Sequence, residues 1–380
     1  MKTLATLILV TILTLAPLPA SQAQEQTPPE PKMECNTSPR FEQLKAEIAR
    51  QRRYDTQQMA AATTGFYHLP MSIHIVRRSD GTGGLTISDL EAAMRDMNQL
   101  WQQVGIQFFI YGDIDYINSD THFNVPNMKA RQDALRQVNP VASTINVYFT
   151  NLAGLCGQSS FTTDSFQGIL IDIGCAGVVS NPTGFNPSTF AHEVGHYFDL
   201  FHTHETWPDN MGNPTRVECP SGSNCSTAGD LLCDTPADPN LSNNVDATCG
   251  WTGSATTPGG CASAAYNPPT RNLMSYSRAT CRTDFTASQV SKILQVLRDN
   301  ASRRNLIITG ARYVDPVASQ SNGDCSYNFP CHTISKAIQL ALPGDHIFIR
   351  PGTNLATLLP GGKQVFLERW GTDGIVRITP

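Results

Sequence analysis

The segment Ser188–His202, with the sequence STFAHEVGHYFDLFH, constrains the fold of this chain more than any other part of it. His192 and His196 are four residues apart, a spacing that puts both imidazoles on one face of a helix. His202 lies six residues beyond His196, so it reaches the same point only if the helix ends and the chain turns sharply in between. The sequence therefore predicts a helix that ends between the second and third histidines.

Three histidines in this arrangement are typical of an open, catalytic zinc site, because a fourth position is left for water. Glu193 follows the first histidine and is placed to take a proton from that water rather than to bind the metal. The alternative is a chance pattern on an ordinary amphipathic helix. However, three of the nine histidines in the chain fall within eleven residues, which favours the zinc site. His204 is predicted to be a surface residue.

The pattern resembles the signature of the metzincin peptidases, in which a third histidine follows a glycine turn and a methionine-containing turn comes later. Asp199 stands where that signature has glycine, and we expect the turn to survive because Asp tolerates positive φ. Residues 272–277, NLMSYS, resemble the Met-turn. The resemblance implies that Met274 forms an apolar floor under the ligands and that the Tyr276 hydroxyl stabilises the oxyanion. Taken alone, these would be an ordinary core methionine and a half-buried tyrosine.

Finer details resemble the pappalysin family of metzincins, over roughly residues 35–300. Four blocks occur in the order that is typical of that family, which makes the resemblance specific. They are HEVGHYFDLFHT, then GDLLCDTP at 229–236, then NLMSYS, then Cys281 followed by Phe285-Thr286.

The resemblance to pappalysins also implies particular links and ligands. The implied disulfides are Cys233–Cys261 and Cys249–Cys281. A calcium ion is implied near residues 233–236, with Asp234 as a ligand, and the oxygen-rich composition there suits that ion. The alternative is that Asp234 only caps a turn.

The N-terminus is typical of an export signal. Lys2 precedes an apolar stretch at 4–18, and Ser21-Gln22-Ala23 offers small residues at a cleavage site. The alternative is a membrane anchor, but the stretch is short and prolines interrupt its end. We therefore expect a signal peptide at 1–23, secretion to the extracellular space or the periplasm, and no membrane span.

The chain contains eleven cysteines, which in an exported protein predict a disulfide framework with at least one thiol left over. Cys35, followed by a helical pattern at 41–53, resembles the pappalysin pro-segment, which implies that its thiolate is an inhibitory fourth zinc ligand. The alternative is a structural disulfide at Cys35. Elimination favours the free thiol, although spacing does not fix connectivity, because plausible pairs use the other ten cysteines. Besides the two implied pairs, these are Cys156–Cys175, Cys219–Cys225 and Cys325–Cys331.

A latent form held by Cys35 needs a segment that proteolysis can remove. The basic cluster of Arg50, Arg52 and Arg53, followed by a polar stretch to Thr64, is an exposed and cleavable site of that kind. The alternative for the cluster is a solvated helix end.

Strands alternate with helices in the first half of the chain, which favours α/β layers. Residues 157–161 occupy the place of the metzincin edge strand, which extended substrates join by strand addition. Residues 201–269 lack periodicity and need disulfides or metal to hold them. Predicted strands are 69–76, 106–111, 144–150 and 169–173; predicted helices are 88–104, 127–138 and 286–300.

Residues 312–380 form a separate unit in this reading, with a short helix at 333–342 and strands near 347–349, 365–367 and 375–378. The unit resembles the opening of a right-handed parallel β-helix domain. It carries no catalytic constellation, so a capping role, or contact with a surface or glycan, is expected. The formal net charge of −5 and the lack of a long basic block argue against a nucleic-acid partner.

The sequence therefore predicts an α/β (α+β) metzincin-like zinc peptidase domain with a loop-rich, disulfide-stapled C-terminal subdomain, plus a small β-rich C-terminal unit. The predicted domains are a signal peptide at 1–23, a pro-segment at 24–64, a catalytic domain at 65–311 and the tail at 312–380. The predicted function is that of a secreted zinc metalloendopeptidase, made latent, acting on proteins or peptides. The alternatives are a surface-binding protein with a degenerate peptidase domain and, from the tail alone, a carbohydrate-active protein. Relatives that prefer basic substrates are expected to have an acid after the Met-turn, whereas residues 277–280 carry Arg278 and no acid.

Overall fold

The computed structural model describes residues 32–39, 67–176, 187–208, 214–306 and parts of the tail: 310–317, 324–325, 329–343, 345–350, 352–355, 365–369 and 376–379. The predicted signal peptide, the helix at 41–53 and the basic cluster lie outside the described residues. No helix in the described part of the chain is both long enough and apolar enough to cross a membrane.

An eight-stranded sheet forms the centre of the part of the chain before the tail. Its strands run in the order β1-β7-β8-β6-β2-β3, with β4 beside β2 and β5 beside β6. All of these pairings are parallel except that of β7 with β8, which is antiparallel. The strands are β1 (Met33–Cys35), β2 (Tyr67–Arg77), β3 (Ile106–Ile110), β4 (Asp115–Asn118), β5 (Asn124–Val125), β6 (Ile145–Leu152), β7 (Leu155–Ser159) and β8 (Ile169–Asp172).

Helices cover both faces of this sheet, so β2 is buried along nearly its whole length, as is typical of parallel sheets. One face packs on the longest helices, and the other packs on the short helix that carries Leu135. The described α-helices before the tail are α1 (Ile87–Trp101), α2 (Asp120–Phe123), α3 (Lys129–Arg136), α4 (Pro187–Tyr197), α5 (Ala287–Asp299) and α6 (Ala301–Arg304).

The first long helix, α1, begins one residue before the predicted start at residue 88. Thr86 is its N-cap, and the Thr86 side chain accepts a hydrogen bond from the Asp89 backbone N–H. Trp101, at the other end of α1, is fully buried and donates from its indole to the Ala191 carbonyl at 3.2 Å. This contact ties α1 to α4, the helix that carries the first two histidines.

The disulfides correct part of the predicted framework. Cys249–Cys281 is present, as the pappalysin resemblance implied, and so are Cys156–Cys175 and Cys325–Cys331. The implied pair Cys233–Cys261 is wrong, and so is the local pair Cys219–Cys225. The structure instead joins Cys219 to Cys261 and Cys225 to Cys233.

The physical reason for this correction is local. Two consecutive turns, closed by the Gly222 N–H on the Cys219 carbonyl and the Cys225 N–H on the Gly222 carbonyl, carry Cys225 towards Cys233. The Cα atoms of Cys225 and Cys233 are 4.9 Å apart, within the usual range for a disulfide. Cys219 is then available to Cys261.

The described part of the tail contains two small parallel sheets and one helix. Tyr313 and Phe348 pack on Phe109 of β3, and the Tyr313 hydroxyl bonds His68 Nδ1 at 2.7 Å. Parallel pairing is what stacked coils require, but the resemblance to a β-helix stays a prediction. The elements are β11 (Ala311–Val314), α7 (Ile334–Leu340), β12 (His346–Ile349), β13 (Gly352–Leu355), β14 (Phe366–Arg369) and β15 (Val376–Thr379), after the short pair β9 (Trp207–Pro208) and β10 (Pro214–Arg216).

Candidate active site and metal centre

The structure brings the three predicted histidines together with Cys35. The Nε2 atoms of His192 and His202 each lie 3.1 Å from Nε2 of His196. The Cys35 sulfur joins them, so that the four ligand atoms all lie within 4.8 Å of one another, and all four residues are buried. Cys35 is the free cysteine among the described residues.

This group has the chemistry of a zinc site. The Nδ1 atoms of His192 and His196 bond the carbonyls of Leu273 and Leu200, at 2.7 and 2.8 Å. Each Nδ1 therefore carries the proton, and the unprotonated Nε2 lone pairs converge with no proton between them. Tetrahedral zinc with Zn–N bonds near 2.0–2.1 Å places ligand nitrogens about 3.3 Å apart, so the donor set fits that ion.

Burial supports the same conclusion. Desolvation, and then the neighbouring histidines, lower the pKa of His192, His196 and His202, which keeps the imidazoles neutral. Burial, and then the Glu193 carboxylate, raise the pKa of the Cys35 thiol. A thiolate at this place therefore needs a cation beside it, which zinc would supply.

The turn between the second and third histidines confirms the expectation for Asp199. This residue has φ of 61°, the left-handed conformation in which the signature has glycine. Its carboxylate accepts hydrogen bonds from the backbone N–H and the hydroxyl of Thr162, at 2.8 and 2.6 Å. These two bonds offset the strain of a side chain in that conformation, and glycine provides no such link.

Met274 lies directly under the histidine helix, fully buried. Gly195 faces it so closely that a Cβ on the glycine would lie 2.4 Å from the methionine sulfur. Any side chain at Gly195 would therefore displace Met274 from its place in the floor of the site.

Sequence reasoning missed Asp238, which links the third histidine to the Met-turn. Its Oδ2 accepts from the hydroxyls of Thr203 and Ser275, at 2.5 and 2.9 Å, and all three side chains are buried. A single acid in an irregular loop has no periodic pattern, so the sequence offered no signal for this role.

Glu193 is fully buried between Cys35 and β7. Its Oε2 accepts a hydrogen bond from the Thr37 hydroxyl at 3.4 Å. A Cβ at Gly157 would lie 2.4 Å from Oε1. Only glycine at this position therefore leaves space for the Glu193 carboxylate. Desolvation raises the pKa of Glu193 to about 8.

Tyr276 donates its hydroxyl to the Cys35 carbonyl oxygen at 2.5 Å, and its ring lies 4.8 Å from that of His202. The expectation that His204 is a surface residue is wrong. Its ring is half-buried. It stacks on the His202 ring, with centroids 4.9 Å apart, and lies tilted against the Tyr276 ring at 4.3 Å. The chain doubles back after His202, which brings His204 under the tyrosine.

The segment 32–39 lies along the site as an added strand. Here β1 pairs in parallel with β7, with Cys35 opposite Gly157. The Ser159 N–H donates to the Thr37 hydroxyl at 2.9 Å, which extends the contact beyond the strand. On the other side of Cys35, Glu34 accepts hydrogen bonds from Arg282 and Thr189, at 2.6 and 2.5 Å.

The carboxylate of Asp234 is bonded to the first turn of α5, and calcium binding there stays a prediction. Its two carboxylate oxygens accept from the Thr286 hydroxyl and the Ser288 N–H, at 3.0 and 2.8 Å, at the start of α5. Within the described ranges, the histidine and cysteine group is the one set of three or more potential ligands that converges.

Three features together define a metzincin-type metallopeptidase. They are the mixed sheet, the histidine helix that is followed by a left-handed residue at Asp199, and Met274 beneath the histidines. Residues 171–298 match the peptidase M43 family model, described as pregnancy-associated plasma protein-A. The match covers about a third of the chain and makes it similar to the pappalysins. Together with the site, it identifies the chain as a metalloendopeptidase.

Individual relatives agree with that assignment. An extracellular metalloprotease of Pyricularia oryzae is 26% identical over 234 residues, 58% of this chain and 71% of the relative. An extracellular metalloprotease of Sordaria macrospora is 24% identical over 275 residues, 68% of this chain and 86% of the relative. The solved structure of a promirolysin mutant from Tannerella forsythia is similar in fold, with a TM-score of 0.52 and 17% identity, covering 72% of this chain and 97% of that one.

Proposed function

We propose that this chain is a secreted zinc endopeptidase that is made latent, with Cys35 as the fourth zinc ligand until the N-terminal segment is cut. The observation that carries the proposal is the convergence of the Cys35 sulfur with three histidine nitrogens, all buried. Secretion is supported by relatives that are named extracellular metalloproteases and by the export signal in the sequence.

His192, His196 and His202 would hold the zinc, which when bound lowers the pKa of a water molecule and polarises the scissile carbonyl. Glu193 takes the proton from the attacking water and passes it to the amide nitrogen as the C–N bond breaks. The Tyr276 hydroxyl donates a hydrogen bond to the oxygen that gains negative charge. In the latent chain the same hydroxyl donates to the Cys35 carbonyl, an oxygen that stands in for that of a substrate.

Latency is supported by how fully segment 32–39 covers the site. Its strand β1 occupies the edge of β7 that an extended substrate would use, and Thr37 bonds both the edge strand and Glu193. We propose that cutting between about Arg50 and Thr64 releases this segment and opens the site. Fluorogenic peptides should be cleaved by the cut chain and not by the intact one.

Metal removal tests the proposed function directly. A chelator should abolish peptide cleavage by the cut chain, and one equivalent of Zn²⁺ should restore it. Without a metal, the three neutral imidazoles carry no positive charge that could polarise the substrate carbonyl. Activity and zinc content are measured on the same samples, and calcium alone serves as the control. Undiminished cleavage by metal-free protein would contradict the proposal.

The surface-binding alternative requires a decayed site. All three histidines converge in one buried group, and Glu193 is present and fully buried as well, which argues against decay. The predicted domain boundaries, a calcium ion near Asp234 and a surface or glycan contact through the tail stay predictions.

Truncation at residue 311 is expected to preserve the chemistry and weaken the fold. Every residue assigned to the reaction precedes that point, but removal of Tyr313 and Phe348 uncovers His68 and Phe109. Loss of this aromatic packing should cost about 1–3 kcal/mol of unfolding free energy. The measurement is thermal unfolding together with peptide cleavage by cut chains with and without the tail.

The full-length Tyr313→Phe variant is the matched control for the truncation, since it removes the bond to His68 and keeps the packing. A truncated chain that folds and binds zinc but does not cleave peptides would show that the tail belongs to the catalytic unit.

A further inference from the structure

A buried positive charge lies beside the zinc ligands and takes no part in the mechanism above. The Arg282 side chain is fully buried, and one of its terminal nitrogens donates to the Ser275 carbonyl of the Met-turn at 3.3 Å. The other donates to Glu34 at 2.6 Å. Glu34 immediately precedes Cys35, so this pair lies one residue away from the position of the inhibitory thiol.

A second donor serves the same carboxylate. Thr189 lies one helical turn before His192 on α4, and its hydroxyl donates to the same Glu34 oxygen at 2.5 Å. The carboxylate therefore sits between the histidine helix and the segment that follows the Met-turn, with a charged donor on one side and a neutral donor on the other. This arrangement of two buried donors is a binding site for an acidic side chain rather than a surface ion pair.

The direction of β1 shows which substrate residue would reach this receptor. Along β7, β1 runs in parallel from Met33, opposite Leu155, to Cys35, opposite Gly157. An extended substrate that joins the same edge in the antiparallel direction, the more stable pairing, runs the opposite way. The residue just after its scissile bond then lies where Glu34 lies now.

Electrostatics make this place selective. A buried guanidinium is costly unless it is paired, and release of Glu34 takes away a carboxylate to which Arg282 donates at 2.6 Å. A substrate carboxylate restores that pairing, a neutral side chain does not, and a lysine or arginine brings a like charge into the low-dielectric pocket.

We propose that Arg282 and Thr189 form a specificity pocket for an acidic side chain, so that the enzyme cleaves peptide bonds that are followed by Asp or Glu. This inference rests on the proposed peptidase function and names its substrate class. Glu34 is then the chain's own occupant of the pocket.

The first experiment uses the full-length chain after proteolytic cutting, with zinc content measured, and three quenched peptides. The peptides differ only in having Glu, Gln or Lys after the scissile bond, and mass spectrometry of the products fixes the bond that is cut. We expect kcat/KM for Glu to exceed that for Gln about tenfold and that for Lys about a hundredfold or more, as one and two buried charge contacts of ordinary strength imply. The ratio within one enzyme sample does not depend on the fraction of active protein.

Variants then assign the preference. Arg282→Gln should remove the preference for Glu over Gln, and Arg282→Glu should reverse the preference towards Lys. Arg278→Glu makes the same charge change at an exposed position on the same segment, so it should leave the ratio unchanged. Equal cleavage of the three peptides by the wild-type enzyme, or faster cleavage of the Lys peptide, would overturn the inference while leaving the peptidase function intact.

The second experiment does not need a substrate and covers variants that fold poorly. In the uncut chain, Glu34→Arg should lower the melting temperature, and combining it with Arg282→Glu should restore most of the loss. A double variant that shows no such recovery would overturn the pairing on which the pocket rests. If the zinc-loaded cut chain cleaves none of the peptides, the proposed function fails. The melting temperatures of the Glu34→Arg and double variants still test the pairing of Glu34 with Arg282.

Discussion

Replacing Glu193 with alanine is expected to lower kcat/KM of the cut chain by about 10²–10⁴-fold, the range for loss of a general base. Zinc should stay bound at full stoichiometry, because the ligand group of three histidines and Cys35 does not include the glutamate. Glu193 is fully buried beside that group, and its pKa is raised to about 8 by desolvation, which suits a residue that both accepts and returns a proton.

The control for this variant is Glu205→Ala. Glu205 lies 3.3 Å from Nδ1 of His202 and therefore supports a metal ligand, so its loss should weaken zinc binding about 10–100-fold. The two variants separate the roles: one keeps the metal and loses the chemistry, and the other loses metal. Zinc lost from the Glu193→Ala protein, or activity retained by it, would show that the assignment of the base is wrong.

Replacing Cys35 with alanine in the uncut chain is expected to raise peptidase activity roughly tenfold or more, equivalent to about 1.4 kcal/mol or more of lost inhibitory binding. The sulfur is the fourth member of the ligand group, so its removal frees a position for water. Activity should stay below that of the cut chain, because Glu34 and Thr37 still hold the segment in the cleft.

Thiol labelling provides the matching observation on the wild-type chain. Cys35 is free of disulfides and buried, so it should label only after a chelator removes the zinc. Asn36→Ala, at an exposed neighbouring position, is the control and should change neither activity nor labelling. A Cys35→Ala chain that is less stable and no more active would point to a purely structural cysteine.

The parts of the site that could be predicted from the sequence are those encoded by local geometry. Helical spacing brings His192 and His196 together, and the tolerance of Asp199 for positive φ predicts the turn that returns His202. Both depend on residues within a few positions of one another, so one sequence is enough.

The parts that could not be predicted depend on contacts between distant segments. Glu34 and Arg282 are 248 residues apart, and nothing in either local pattern indicates the other. Two predicted disulfides of the irregular region were wrong for a related reason. Without periodicity, the paths of the loops decide which sulfurs meet, and Cys225 turned towards Cys233 rather than Cys219.

The pairing of β1 with β7 has a kinetic consequence for activation. While the chain is intact, the tether keeps the inhibitory strand at an effective concentration on the order of millimolar, which few substrates can match. A cut in the tether does not break any contact in the cleft; it only turns the strand into a diffusible inhibitor of its own enzyme. Activation should therefore occur in two phases, proteolysis and then release. The second phase should depend on dilution and on competing substrate. At high protein concentration the cut enzyme would therefore stay inhibited until it is diluted.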